Sequence, residues 1–270
     1  MTTALRPPAT ELGPNGARRP DLRPELAALL RSERIKLATV RSPKVLLCTS
    51  AVIGLLISGV AAARSTDGTL TASEAFIFPT VLTAVLAAIA GIVLFTTEVQ
   101  HGTLPAALTA HPSRWPVAVA KSLVATGFGL VLGATGMVAG FVGALAGGAA
   151  VGATSAVPST VGWGLLYTAG AALLGLSIGM VVRHSAGAIS ALLVWWLVIE
   201  GIIVSFAPPG IVRLVPFDTG SRTLDITTDL DRPEVVAAGL PNALHAAIFW
   251  GYVLAALAIA TVLLVRRDAD

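Results

Sequence analysis

Residues 76–95 read FIFPTVLTAVLAAIAGIVLF, a run of twenty positions with no charged side chain. A helix of that length, at about 1.5 Å rise per residue, covers about 30 Å, which is the thickness of a bilayer's hydrocarbon core. No water is available at that depth to satisfy backbone N–H and C=O groups, so a helix is the default conformation. Five further runs of similar length and polarity lie at 45–63, 119–145, 161–182, 186–206 and 243–265. Together they predict an all-α polytopic membrane protein with six transmembrane helices.

The composition agrees. Of the 270 residues, 55% are hydrophobic and 12% charged, against about 25% charged in soluble domains. Six spans and their loops use most of the chain, so one membrane domain is expected over 43–267, with no separate soluble module. The net charge of +3 comes from basic residues flanking the spans. That is the distribution set by membrane orientation and anionic lipid, not by nucleic acid. A single cysteine, Cys48, lies within a span, which excludes a disulfide framework or a thiolate cluster.

The flanks differ in character. Residues 1–24 carry Pro7, Pro8, Pro14, Pro20 and Pro24 and read as a disordered cytoplasmic tail. Residues 25–42 read as an amphipathic helix in the membrane interface, followed at the far end by a short cytoplasmic terminus, 268–270. Leu26, Leu29, Leu30, Leu37 and Val40 share its apolar face, and Arg31, Arg34, Lys36 and Arg41 form a basic flank. Glu33 falls inside the apolar stripe; a snorkelling carboxylate paired with an arginine one turn away is one expectation for it.

An even number of spans puts both termini on one side. Fourteen lysines and arginines fall on that side, against Arg64, Arg213, Arg222 and Arg232 on the other. Without the first 24 residues the ratio is still ten to four. Both termini are therefore expected in the cytoplasm. In the third span Gly129, Gly133, Gly136, Gly140, Gly143 and Gly147 recur at spacings of 4, 3, 4, 3 and 4, which keeps them on one helix face. Small residues let helices approach closely in lipid. The stripe is read as tight packing, with a dimerising or moving interface or a smooth path wall as alternatives.

The loop between the second and third spans is the most informative polar segment. Gly102 should break the preceding helix, Thr103 can cap a new one, and Pro105 suits its first turn. A short helix over about 104–109 is expected, with Arg114, Trp115 and Lys121 anchoring the return to the interface. His101, His111 and His184 lack the spacing of a metal site, so no metal is expected.

At these residues the chain resembles the permease subunits of the ABC-2 type transporter family, particularly the actinobacterial kind. Ser32-Glu33-Arg34-Ile35-Lys36-Leu37, with Arg41-Ser42, is similar to the family's interfacial entry helix. Glu98 followed by His101-Gly102-Thr103-Leu104, with Pro112, Arg114 and Lys121, is similar to its segment between spans two and three. Glu200 in span five, followed by Pro216, matches a third habit, whereas Gln100 stands where members often carry a basic residue. The resemblance implies an export permease of the bacterial plasma membrane, acting as a homodimer or heterodimer with membrane lipid around it. It also implies a separate ATP-binding subunit that carries ATP-Mg, leaving this chain without a cofactor of its own. The contact would be the coupling segment Glu98, His101, Gly102, Thr103, Leu104 and Leu108, assisted by Glu33, Lys36 and Arg41.

A motor within this chain is not expected. A phosphate-cradling loop needs Gly-x4-Gly-Lys-Ser/Thr, and Lys36, Lys44 and Lys121, the only lysines, do not follow glycine. Gly175-Leu176-Ser177-Ile178-Gly179 spells a nucleophile-elbow pattern, in a layout similar to that of rhomboid proteases. However, Ser177 and His245 belong to opposite ends of their spans, roughly 20 Å apart in depth, where catalysis needs about 3 Å. Glu200 is the acidic residue well inside a span. It is read as a gate or path residue: a helix-end hydrogen bond first, then substrate contact or ion coupling. An ATP-independent carrier or a membrane scaffold is the alternative function.

Overall fold

The computed structural model describes residues 22–39, 41–65, 69–102, 115–151, 154–225 and 232–267. The expected helix at 104–109, with Thr103, Leu104 and Leu108, lies outside the described residues, as do most of the N-terminal tail, Val40 and residues 268–270. Helix α1 spans Leu22–Thr39 and α2 spans Arg41–Arg64. Arg41 therefore opens the first span, where the sequence suggested the end of the interfacial helix.

The second span is built from α3, Ala72–Ile77, and α4, Thr80–Gln100. The sequence reading started this span at Phe76; in the structure the polar residues before it extend the helix. Thr71 and Glu74 form a capping box, with Glu74 N–H donating to Thr71 Oγ1 at 3.3 Å and Thr71 N–H to Glu74 Oε2 at 2.8 Å. Pro79, which has no N–H to continue the ladder, separates α3 from α4.

Helices α5, Trp115–Ala146, and α6, Val157–Val182, follow. The fifth span, α7, covers Ser185–Phe206 and changes to π-helical winding over Val194–Glu200. Three short helices come next: α8, Pro209–Val212; α9, Pro216–Arg222; and α10, Pro233–Ala237. The last span is α11, Asn242–Arg267. Six helical segments are long and apolar enough to cross a membrane, and the protein is an all-α polytopic membrane protein. Beyond the helices, β1, Thr69–Leu70, pairs in parallel with β2, Ala150–Val151.

Helix α6 is the centre: 72% of its apolar window is buried, against 11% for α7. It packs on α4, α5 and α11, and α2 packs along α5. The small residues make this possible. Gly91 of α4 lies against Ala172 O of α6, and Gly175 of α6 against Ala88 O of α4, leaving no room for a Cβ at either. Within the chain, Gly129 and Gly133 face Thr168 of α6, Gly136 faces Thr83 and Ser50, and Gly140 faces Ala75 and Pro79. Gly143 and Gly147 meet Leu55 O and Gly59 O of α2. The glycine face is thus occupied by α2, α3, α4 and α6. Ser50 and Ser58 add interhelical bonds to Leu132 O and Ala75 O at 3.0 and 2.9 Å.

Candidate functional site

Three elements converge at one end of the bundle. Glu33 and Lys36 come from α1, Glu98 from the last turn of α4, and Lys121 from the second turn of α5. Lys36 Nζ lies 2.9 Å from Glu33 Oε1 and 2.6 Å from Glu98 Oε1. Lys121 Nζ lies 2.8 Å from Glu98 Oε1 and 3.4 Å from Glu33 Oε1. Among the described residues, two ammonium groups and two carboxylates thus meet in one network. The side chains of Lys121, Glu33 and Glu98 are 1%, 7% and 10% exposed, while Lys36 is 45% exposed.

Burial makes this arrangement all-or-none. Desolvating each charge costs several kcal/mol, and mutual attraction offsets that only while every partner is present. For Lys36, burial would lower the affinity for its proton. The hydrogen bonds and charges of Glu98 and Glu33 outweigh that and raise it above the ordinary 10.5. The ammonium form is therefore the one held at neutral pH.

Two sequence readings change here. Among the described residues the partners of Glu33 are Lys36 and Lys121, where an arginine one turn away was one expectation. Lys121 is not an interfacial anchor but a buried cation, because α5 begins at Trp115 and carries it into the packed part of the bundle. The signal was present in the sequence. Glu33 breaks an apolar stripe, Glu98 ends one span and Lys121 begins the next, so each needed an opposite charge nearby.

The start of the connecting segment is well defined. Helix α4 ends at Gln100, and Gly102 takes φ of +65°, a left-handed conformation that suits glycine. His101 is exposed, with Nδ1 2.7 Å from Thr97 O. Gln100 Nε2 donates to Ser185 Oγ at 2.8 Å, joining the end of α4 to the start of α7. His184 caps α7 by accepting from Gly187 N–H at 3.1 Å. Arg41 is exposed at the head of α2.

Glu200 belongs to a second site, fifteen residues or roughly 22 Å along α7 from Ser185. It is 2% exposed. Its carboxylate accepts from Phe217 N–H at 3.1 Å, Asp218 N–H at 3.0 Å and Trp195 Nε1 at 2.7 Å. It therefore caps the N-terminus of the short helix α9 from the fifth span, α7. The π-helical winding, which sequence reasoning missed, brings Trp195 and Glu200 onto one face although they are five positions apart. Trp196 stacks on Phe217 at 4.2 Å, and Asp218 pairs with Arg222 at 2.7 Å. Here the structure contains the helix-end hydrogen bonds considered for Glu200.

The elbow-like residues serve packing. Ser177 Oγ donates to Leu173 O at 2.8 Å, while Gly175 and Gly179 face Ala88 and Ile92. His245 Nε2 accepts from Leu240 N–H at 3.1 Å.

Residues 29–201 match the family described as ABC-2 family transporter protein, a stretch that holds Glu33, Lys36, Glu98, Lys121 and Glu200. No curated protein matches the chain. With six apolar spans and a match over more than half its length, the chain belongs to the ABC-2 transporter family, as a membrane permease component of an ABC transporter.

Proposed function

We propose that this permease is one half of an exporter in a bacterial plasma membrane, with both termini in the cytoplasm. It pairs with a second permease and is driven by a separate ATP-binding subunit that carries ATP-Mg. The contact is the segment from Gly102 to Trp115, including Thr103, Leu104 and Leu108, together with α1. The observation that carries this reading is the network of Glu33, Lys36, Glu98 and Lys121. It fastens α1 to both roots of that segment, the end of α4 and the start of α5. A push delivered to the segment would therefore move α1, α4 and α5 together. The charge bias between the two sides, ten to four without the tail, supports a cytoplasmic placement for this end.

An ATP-independent carrier would need Glu200 free to exchange a cation. Its carboxylate instead holds three N–H groups. The test is co-expression with a Walker-motif ATP-binding subunit from the same genome, followed by co-purification. Wild type retains it, and the double variant Leu104→Asp/Leu108→Asp loses it. Retention by that variant would refute the docking assignment.

A further inference from the structure

Helices α9 and α11 pack together at the end of the bundle opposite the charge network, and the first turn of α11 holds a histidine. His245 is 2% exposed, yet its partner sits in a surface turn. Leu240 N–H donates to His245 Nε2 at 3.1 Å, and Gly239 and Pro241 on either side of Leu240 are exposed. A backbone N–H can only donate, so Nε2 is the unprotonated nitrogen of a neutral ring. Nδ1 then carries the ring's proton, and it is buried without a hydrogen-bond partner among the described residues.

This bond ties down the connection between α10 and α11. The N–H groups of Leu244 and His245 both donate to Pro241 O, at 2.8 and 3.1 Å, so the turn and the helix start form one unit. A second proton on the ring does not fit that unit. Imidazolium donates from both nitrogens and accepts at neither. Protonated Nε2 would oppose Leu240 N–H, and Nδ1 would still lack an acceptor. The charged groups that act on the ring, among the described residues, are Arg222, Asp218 and Asp225. Asp218 pairs with Arg222 at 2.7 Å, and Asp225 accepts from Asn242 Nδ2 at 2.6 Å. These two carboxylates are the groups able to receive the cation, and to reach them the ring must leave Leu240. Asp218 belongs to α9, the helix that Glu200 caps.

We infer that His245 is a proton-operated latch: neutral, it holds the turn at 238–241 through Leu240 N–H; protonated, it releases that turn and moves to the carboxylates beside α9. Imidazole is the side chain that changes charge in mild acid, which makes acidification the trigger. The latch does not depend on the docking of an ATP-binding subunit. Its facing the exterior rests on the orientation proposed above.

The full chain in lipid nanodiscs tests it by amide hydrogen exchange of peptides covering 236–244 at pH 8 and pH 5, corrected for the intrinsic effect of pH. Wild type should lose about tenfold of its protection there on acidification, the size of one hydrogen bond, while peptides of α4 and α6 keep theirs. His245→Gln retains an oxygen that can accept from Leu240 and cannot titrate, so its protection should not change with pH. His245→Ala should be open at both. Should His245→Gln fold poorly by gel filtration, a chain carrying His101→Gln, His111→Gln and His184→Gln keeps His245 as its one histidine. Its nitrogen-15 ring signals should then show the Nδ1–H tautomer at pH 8 and the cation at pH 5. Wild-type protection that is the same at both pH values, an equal loss in His245→Gln, or an Nε2–H tautomer at pH 8 would overturn the proposal.

Discussion

Lys121 and Glu98, at the facing ends of consecutive spans, form a 2.8 Å ion pair in which the lysine side chain is 1% exposed. The pair ties the last turn of α4 to the second turn of α5. Its removal should be far more harmful than loss of a surface bridge. Lys121→Met leaves two carboxylates facing one lysine and should destabilise by about 3–5 kcal/mol. Adding Glu98→Gln to Lys121→Met should cost less than the two single losses combined. Thermal unfolding in detergent reads this; additive losses would mean that the pair is not coupled.

The alkaline limit of stability should report Lys36. Its proton affinity is raised in the folded state above the ordinary 10.5. That contribution is complete below pH 10.5 and is lost as pH rises through the higher folded-state value. Unfolding temperatures of wild type should therefore fall more steeply than those of Lys36→Met above pH 10.5. Parallel curves would exclude the linkage.

Two glycines of α5 should respond in opposite directions. At Gly143 an added Cβ would run into Leu55 O, whereas at Gly127 nothing lies within 4 Å. Gly143→Ala should push α2 away and cost about 1–3 kcal/mol. Gly127→Ala should be neutral or gain up to about 1 kcal/mol of helix propensity. Similar melting shifts for both would contradict the packing assigned to the glycine face.

Glu200 should behave as a cap more than as a charge. Glu200→Ala leaves the N–H groups of Phe217 and Asp218 without their acceptor, a loss of about 0.5–2 kcal/mol. Glu200→Gln keeps an acceptor oxygen and should retain more of the stability. Limited proteolysis between Pro208 and Arg222 measures it, with faster cleavage in the alanine variant. Equal protection of the two variants and wild type would show that the cap is dispensable.

Much of this architecture was legible because hydrophobic length is a local property. All six spans follow from uninterrupted apolar runs, and Gly102 marks a break through backbone chemistry that it carries alone; the break at Pro79 was not read from the run 76–95. The glycine spacing likewise showed one shared face. What neighbours that face could not be read, because Thr168, Leu55 and Ala75 are brought to it by the fold. The charge network was legible only in part. Glu33 looked out of place in its apolar stripe, but its meeting with Glu98 and Lys121 depends on α1 docking at the junction of α4 and α5. The π-helical turn from Val194 to Glu200 has no composition that distinguishes it from an ordinary apolar helix.

The docking of an ATP-binding subunit at the segment after Gly102 is tested most directly by site-specific crosslinking. In a Cys48→Ser background, single cysteines would replace Leu104, Leu108 or, at the other end of the bundle, Leu214, in membranes that also contain the ATP-binding subunit. The account predicts disulfide or short-linker capture of that subunit from positions 104 and 108 and none from 214. Capture from 214 alone, or from none of the three while the two proteins still co-purify, would contradict it.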